Sequence, residues 1–153
     1  MTCEKTVMEL IDRDRLVRLS PQSTVTQAAR EMLRHHIGAV VVDDAERTVG
    51  IVTERDINFR VIAAGHDPAT TPLSQIMTPS PTLMPPGTKV SDALRLVVHN
   101  RYRYALVGED QRVIGIVMIS RIFAEVTKQL GNSVEEIDQF IRGGFFSDHD
   151  AIN

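Results

Sequence analysis

Residues 35–57 read HHIGAVVVDDAERTVGIVTERDI, and the chain carries a second version of this stretch at an offset of 65 positions. Gly50-Ile51-Val52 recurs as Gly115-Ile116-Val117, with no insertion between the two copies. Other identical pairs at the same offset are Pro21 and Pro86, Val25 and Val90, Ala28 and Ala93, and Val42 and Val107. Two such copies predict two similar units packed against each other, and a groove between related halves is a natural ligand site.

The composition predicts one compact domain with a hydrophobic core. The chain has 153 residues, of which 42% are hydrophobic and 24% are charged. The net charge of −3 disfavours binding to nucleic acid, which needs a basic surface. No apolar run approaches the ~18–20 residues of a membrane-spanning helix, and the first ten residues lack the pattern of a signal peptide. The single cysteine, Cys3, excludes an internal disulfide and fits a reducing compartment, so we expect a cytoplasmic protein without a membrane partner.

No sequence pattern points to catalysis. The five histidines lack the spacing of metal ligands, and the adjacent His35 and His36 point to different sides of a helix. No nucleophile–base pair and no glycine-rich phosphate loop is visible. We therefore expect a protein that is not an enzyme, with neither a bound metal nor a catalytic cofactor.

Each copy predicts the order strand–helix–strand–strand–helix. In the first copy, residues 16–19 form a short strand, and Ser23 or Thr24 can cap a helix that runs to about His35. That helix places five apolar side chains on one face, which we expect to be buried: Val25, Ala28, Ala29, Met32 and Leu33. Residues 39–42 form a continuous apolar run of strand length, which predicts burial on both faces. The remaining predicted elements of the first copy are a strand at 49–52 and a helix at 54–64. The second copy predicts a strand at 82–84, a helix at 90–100, strands at 104–107 and 113–117, and a helix from about Ser120.

These elements divide the chain into two repeats, a linker and an extension. The predicted units are a first repeat at 6–66, a linker at 67–81, a second repeat at 82–128, a C-terminal helix at 132–143 and a tail at 144–153. We expect the linker to contain a short helix at 73–77, capped by Thr71. The C-terminal helix begins with acidic residues after Ser133 and has one apolar face, which is typical of a segment that covers an exposed surface or joins a partner.

Thr53 and Asp56 lie where a buried strand passes directly into a helix. Free backbone N–H groups at a helix start can receive an anion, and a threonine hydroxyl beside them suits a phosphate oxygen. A carboxylate one turn into the helix, such as that of Asp56, can accept both hydroxyls of a ribose. Phosphate and ribose together indicate a nucleotide.

The same two residues also match a capping box, in which their only role is to stabilise the helix. Caps are far commoner than nucleotide sites. The repeat shifts this balance, because the matching positions of the second copy are Met118 and Arg121. A pair that served only as a cap should be needed equally in both copies, although Ser120 offers an alternative cap.

The two copies resemble a tandem pair of CBS domains. Each copy has the family's order of elements, and the first has its Gly-hydrophobic-hydrophobic-Thr-x-x-Asp motif. HHIGAVVVDDAERTVGIVTERDI and SQIMTPSPTLMPPGTKVSDAL are especially similar to the family. The resemblance covers residues 6–128. It implies an α/β (α+β) fold of two β-α-β-β-α repeats packed as a pseudo-twofold pair, called a Bateman module, which usually forms a head-to-head homodimer. It also implies clefts that bind AMP, ADP, ATP, S-adenosylmethionine or NAD(H).

The resemblance assigns roles to several residues. Asp56 would hold the ribose, Thr53 would lie beside the phosphate, and Arg103 would reach the phosphate from the other copy. Position 38, the counterpart of Arg103 in the first copy, is a glycine, so one such arginine is present. The residues expected to flank the adenine through their backbone are Leu16, Val17, Gly38 and Ala39.

The second copy departs from the family pattern. Met118 has no hydroxyl, and Arg121 cannot accept a hydrogen bond from a ribose. Either the second site is degenerate, or Arg121 contacts the phosphate of the first site. We expect a regulatory module that senses an adenine nucleotide, AMP above all, and acts through an unidentified effector protein. The alternative is a ligand-independent dimerisation module.

Overall fold

The structure is a computed structural model that describes residues 4–130. Cys3, the predicted C-terminal helix at 132–143 and the predicted tail at 144–153 lie outside the described residues. The described part begins with two short 3-10 helices, Val7–Leu10 and Arg13–Arg15.

The first repeat has the predicted order of elements. These are β1 (Arg18–Leu19), α1 (Val25–His35), β2 (Ala39–Asp44), β3 (Arg47–Thr53) and α2 (Glu54–Ile57), which continues as a π-helical turn over Asn58–Ile62. Strand β1 is shorter than expected because it pairs with only two residues of β2. The predicted helix at 54–64 is present, but its second half is wound more loosely than an α-helix.

The linker contains the expected short helix, α3 (Leu73–Ile76), followed by strand β4 (Thr78–Pro79). The predicted cap is wrong, since the residue before α3 is Pro72 and no side chain caps the helix. The Thr71 hydroxyl instead donates to the backbone carbonyl of Asp67 at 2.7 Å, which closes a turn before the helix.

The second repeat consists of α4 (Val90–Asn100), β5 (Tyr104–Glu109), β6 (Arg112–Met118) and α5 (Ile119–Leu130). The strand predicted at 82–84 is reduced to one isolated parallel bridge between Met84 and Val107. In both copies the helix that leads into the central hairpin ends on a residue in the left-handed conformation, His36 with φ 52° and Arg101 with φ 57°.

The strands form two sheets. The order of the first is β1-β2-β3-β4, with β1 parallel to β2 and the other pairs antiparallel, and β5 and β6 form the second. Both hairpins have a register shift at the same place in the repeat, Val42/Asp43 and Val107/Gly108. The α/β fold of two pseudo-equivalent repeats is therefore confirmed.

The buried residues of the described chain form two hydrophobic clusters, and one of them is shared between the repeats. Residues 39–42 are at most 1% exposed, as the continuous apolar run predicts. The cluster around them also includes Leu106, Val113 and Ile116 of the second repeat. The predicted face of α1 is narrower than expected, because Val25, Ala28 and Met32 are buried whereas Ala29 and Leu33 are exposed.

A polar group of four residues joins the two hairpins, and we call it the junction network: Arg18, Asp43, Thr48 and Val113. Arg18 forms an ion pair with Asp43 at 2.7 Å and also donates to the carbonyl of Val113 in the other repeat. The Thr48 hydroxyl donates to Asp43 at 2.9 Å and accepts from the N–H of Val113 at 2.9 Å. Thr48 and Val113 are 65 positions apart, so equivalent positions of the two repeats meet here.

Candidate functional site

A cavity of about 300 Å3 lies between the two repeats. The end of β3 and the start of α2 form one wall, which contains Thr53, Glu54 and Asp56. The segment 78–82 and the entry to β5, residues 101–104, form the other. The cavity lies where β3 of the first repeat ends and β5 of the second begins, beside the linker that joins the repeats.

Thr53 and Asp56 make a complete capping box at the start of α2. The backbone N–H and the hydroxyl of Thr53 both donate to Asp56 Oδ2, at 2.9 and 3.0 Å. The N–H of Asp56 in turn donates to Thr53 Oγ1 at 3.3 Å. The expectation that Thr53 caps this helix is confirmed, and its contacts hold the Asp56 carboxylate in one orientation.

The second carboxylate oxygen of Asp56, Oδ1, is less occupied by protein. It lies 3.7 Å from Nε of Arg60, one helical turn further on. The Asp56 side chain is 13% exposed, so this acceptor lies at the cavity wall and is largely screened from bulk water. A carboxylate has about four lone-pair positions, and this one retains room for a donor from a ligand.

The opposite wall is basic. Arg101 and Arg103 both line it, on either side of Tyr102. Nη1 of Arg103 lies 3.6 Å from Oε1 of Glu54, so an ion pair crosses the cavity from one repeat to the other. Guanidinium groups are the usual protein partners of phosphate, which makes this wall suited to an anionic group.

Tyr104 connects the two repeats at the cavity. Its hydroxyl accepts a hydrogen bond from the N–H of Gly38 at 3.0 Å. Burial raises the pKa of the Tyr104 hydroxyl above its ordinary value, and the nearby carboxylate of Glu54 adds to that shift. A Cβ at position 38 would lie 2.8 Å from both the Tyr104 oxygen and Glu54 Cδ, so only glycine fits without a rearrangement.

The equivalent cleft on the other side of the pair, of about 330 Å3, has a different chemistry. It is lined by Met118 and Arg121, where the first site has Thr53 and Asp56. Asp12 faces two arginines here, Arg15 at 3.4 Å and Arg121 at 4.0 Å. Arg15 also donates to the Met118 sulfur at 3.4 Å. The α5 position equivalent to Asp56 is Arg121, whose side chain cannot accept a hydrogen bond from a ribose.

The structure brings together four of the residues predicted for the site: Gly38, Thr53, Asp56 and Arg103. Arg121 lines the other cleft. Leu16, Val17 and Ala39 do not line the cavity, and Val17 and Ala39 are buried in the core. They lie away from the cavity because the wall that faces Thr53 and Asp56 is formed by the second copy.

Sequence reasoning missed several lining residues. The counterparts of Leu16 and Val17 at the 65-residue offset are Pro81 and Thr82, and these do line the cavity. Arg101 also lines the cavity, on the same wall as Arg103. Applying the offset to every flanking position would have found 81 and 82, whereas nothing in the sequence distinguishes Arg101.

Two further findings concern residues 4–130 only. No cluster of three or more histidine, cysteine, aspartate or glutamate side chains in that range could hold a metal ion. None of the helices described there is both long and apolar enough to span a membrane.

Comparison with known proteins identifies the class. The profile of the family described as "CBS domain" matches residues 7–62 and again 73–128. The chain therefore belongs to the CBS domain family and contains a tandem pair of these domains. CBS domains are in general regulatory, non-catalytic modules, and pairs of them generally bind adenine nucleotides and oligomerise.

Two relatives and one solved structure illustrate the similarity. The mitochondrial CBS domain-containing protein CBSX3 of Arabidopsis thaliana is 32% identical over 127 residues, 80% of this chain and 62% of that protein, so the chain spans less than two thirds of it. A 17.7 kDa protein of Acidianus ambivalens is 35% identical over 125 residues, 78% of this chain and 74% of that protein. The crystal structure of a conserved protein from Pyrococcus horikoshii superimposes with a TM-score of 0.72 at 27% identity, covering 82% of this chain and 95% of that one.

Proposed function

We propose that the protein is a regulatory module that binds an adenine nucleotide, with AMP favoured over ADP, ATP and NAD(H), in the cavity between the repeats. The observation that carries the proposal is the pairing of chemistries across this cavity. A fixed carboxylate and a hydroxyl, Asp56 and Thr53, face the arginines Arg101 and Arg103. The carboxylate suits a ribose, and the arginines suit a phosphate.

The Asp56 carboxylate supports ribose binding through its position. Its Oδ2 is held by Thr53, and its Oδ1 faces the cavity wall with Arg60 at 3.7 Å. A ribose hydroxyl would donate to this preoriented carboxylate in a charge-assisted bond. Because the capping contacts fix the carboxylate before the ligand arrives, little entropy is lost when that bond forms.

The size of the cavity supports a mononucleotide. Its volume of about 300 Å3 lies at the lower end of the ~300–1,000 Å3 typical of small-molecule sites. A dinucleotide such as NAD(H) needs considerably more room than AMP. The apolar surface that an adenine requires is supplied by Ile51, Pro79 and Leu106.

Calorimetric titration with AMP, ADP, ATP and NADH tests the proposal, in the wild type and in Asp56→Ala. We expect saturable binding of AMP, and a loss of about 10- to 100-fold in affinity in the variant, because an acceptor for a ribose hydroxyl is worth ~1.5–3 kcal/mol. Arg121→Ala should leave that affinity unchanged, since Arg121 lies in the other cleft.

The matched control is Gln27→Ala. Gln27 makes the same reciprocal cap with Thr24 at the start of α1, accepting from the Thr24 N–H at 2.8 Å, but it does not line the cavity. It should lower thermal stability about as much as Asp56→Ala while AMP binding stays intact. No binding of any of the four nucleotides at millimolar concentration, or undiminished binding by Asp56→Ala, would rule the proposal out.

One observation favours the alternative, a ligand-independent interaction module. Protein groups alone form the complete capping box of Thr53 and Asp56, so stabilisation of α2 accounts for both residue types. The titration above separates the two functions. A purely structural role predicts that Asp56→Ala lowers stability and that neither the wild type nor the variant binds a nucleotide.

The module is proposed to act as a homodimer that passes its signal to an effector protein in the cytoplasm. Phe59 and Ile62 support self-association, since these large hydrophobic side chains of the π-helical turn are 48% and 59% exposed. Light scattering at micromolar concentration should give twice the chain mass, and Phe59→Ser should shift the mass towards one chain. A wild-type protein with the mass of a single chain would contradict this part of the proposal.

A further inference from the structure

Glu54 stands between the two halves of the proposed site. It is the first residue of α2, directly after Thr53, and its carboxylate reaches across the cavity to the opposite repeat. Oε1 of Glu54 lies 3.6 Å from Nη1 of Arg103, and both side chains are about half exposed, so the ion pair is at the mouth of the cavity.

The ion pair is confined to this cleft. At the 65-residue offset, Glu54 corresponds to Ile119 and Arg103 corresponds to Gly38. The backbone is nevertheless the same in both clefts, because the N–H of Glu54 donates to the carbonyl of Gly38 at 2.9 Å and that of Ile119 donates to the carbonyl of Arg103 at 2.9 Å. The two repeats thus share this backbone geometry, and they differ in whether a carboxylate faces an arginine.

The carboxylate of Glu54 is also held on its other side. A Cβ at position 38 would meet Glu54 Cδ at 2.8 Å and Oε1 at 3.0 Å, so the group rests against the backbone of Gly38. Tyr104 packs beside it, with its hydroxyl on the N–H of the same glycine. In this position the Glu54 carboxylate places a negative charge beside the arginine that a phosphate would use.

We infer that Glu54 determines how many phosphates the site accepts, by occupying Arg103 and repelling any anionic group that approaches it. The inference rests on the proposed binding of an adenine nucleotide. A single phosphate can bind at the wall that carries Arg101 and Arg103 with Glu54 still in place. A triphosphate must bring further charge to the mouth of the cavity, where it competes with the Glu54 carboxylate for the guanidinium.

Glu54→Gln tests this inference, since it removes the charge and keeps the size of the side chain. Affinities for adenosine, AMP and ATP are measured by calorimetry at low and high ionic strength. Two unit charges ~4 Å apart in water-like surroundings change an equilibrium by a factor of about five. We therefore expect adenosine to be unchanged within about twofold, AMP to bind about threefold tighter and ATP about tenfold tighter. The differences should shrink as salt is added.

The matched control is Glu46→Gln. Glu46 is an exposed residue in the turn between β2 and β3, outside the cavity, and the substitution changes the net charge by the same amount. It should leave all three affinities as they are. Arg103→Gln should have the opposite effect to Glu54→Gln, weakening AMP and ATP but not adenosine.

The outcomes separate this inference from the proposed function. If wild-type protein binds AMP but Glu54→Gln leaves the ratio of ATP to AMP affinity unchanged, the role of Glu54 is refuted and nucleotide binding stands. An equal gain for adenosine and ATP also refutes it, because a steric effect would act on the nucleoside. If neither protein binds any of the three ligands, the proposed function falls together with the inference.

Discussion

Replacing Arg18 by leucine should destabilise the protein by opening the junction network. Arg18 donates to Asp43 at 2.7 Å, and the two side chains are 29% and 12% exposed. Breaking a fully buried ion pair by removing one partner costs ~3–5 kcal/mol, and these exposures reduce the effect. Loss of the hydrogen bond to the Val113 carbonyl adds to it. We expect a net loss of ~2–3 kcal/mol in the free energy of unfolding.

Urea denaturation followed by circular dichroism measures this loss. For a chain of this size, ~2–3 kcal/mol lowers the urea midpoint by about 1 M and the melting temperature by roughly 5–10 °C. Arg34→Leu is the control. Arg34 also forms a close ion pair, with Glu31 at 3.0 Å, but its side chain is 72% exposed. Its removal should therefore cost less than ~1 kcal/mol.

A double-mutant cycle with Asp43→Asn isolates the pairwise contribution. Leucine at position 18 removes the partner that neutralises Asp43, so converting the acid to an amide should recover part of the loss, and the coupling should be ~1–2 kcal/mol. The second repeat carries Leu83 and Gly108 at the equivalent positions, so the fold of the repeat tolerates the absence of both charges. Additive effects of the two substitutions, or a loss in Arg18→Leu no larger than in the control, would refute this reasoning.

Two further predictions concern Tyr104. Tyr104→Phe removes the acceptor for the Gly38 N–H and should lower the free energy of unfolding by ~1–2 kcal/mol, measured by urea denaturation at neutral pH. An unchanged urea midpoint would show that water replaces the hydroxyl. Because the folded-state pKa of Tyr104 is raised, its neutral form contributes stability that is complete below pH ~10 and is lost as the pH rises towards the folded pKa. Stability of the wild type should therefore fall more steeply above pH ~10 than that of Tyr104→Phe, and parallel curves would contradict the shift.

The repeated unit was predictable because its signals are local. The 11-residue helices α1 and α4 each follow from apolar spacing, and the Thr53 cap follows from a residue type at a strand–helix junction. The two hairpins follow from continuous apolar runs separated by short polar turns. None of these features needs knowledge of what the segment packs against.

The features that failed depend on distant partners. Leu33 fits the helical period but is 75% exposed, because the core that α1 covers is narrower than its apolar face. The strand at 82–84 has strand-forming residues but finds a single bridging partner, Val107. Arg101 reaches the cavity only because it is itself the left-handed residue that ends α4 and turns the chain towards β5. Burial and pairing of this kind are set by the arrangement of the repeats.

The capping box and the proposed ribose contact are compatible uses of one carboxylate. Thr53 uses Oδ2 of Asp56 twice, through its N–H and its hydroxyl, while Oδ1 has a long contact to Arg60 at 3.7 Å. The cap thus occupies one oxygen and orients the other. The second repeat shows that a helix can start at this point without the pair, since α5 begins at Ile119 directly after Met118. In the first repeat, Thr53 and Asp56 lie at the wall of the cavity that faces Arg103. The ligand hypothesis explains this position, whereas the cap alone does not.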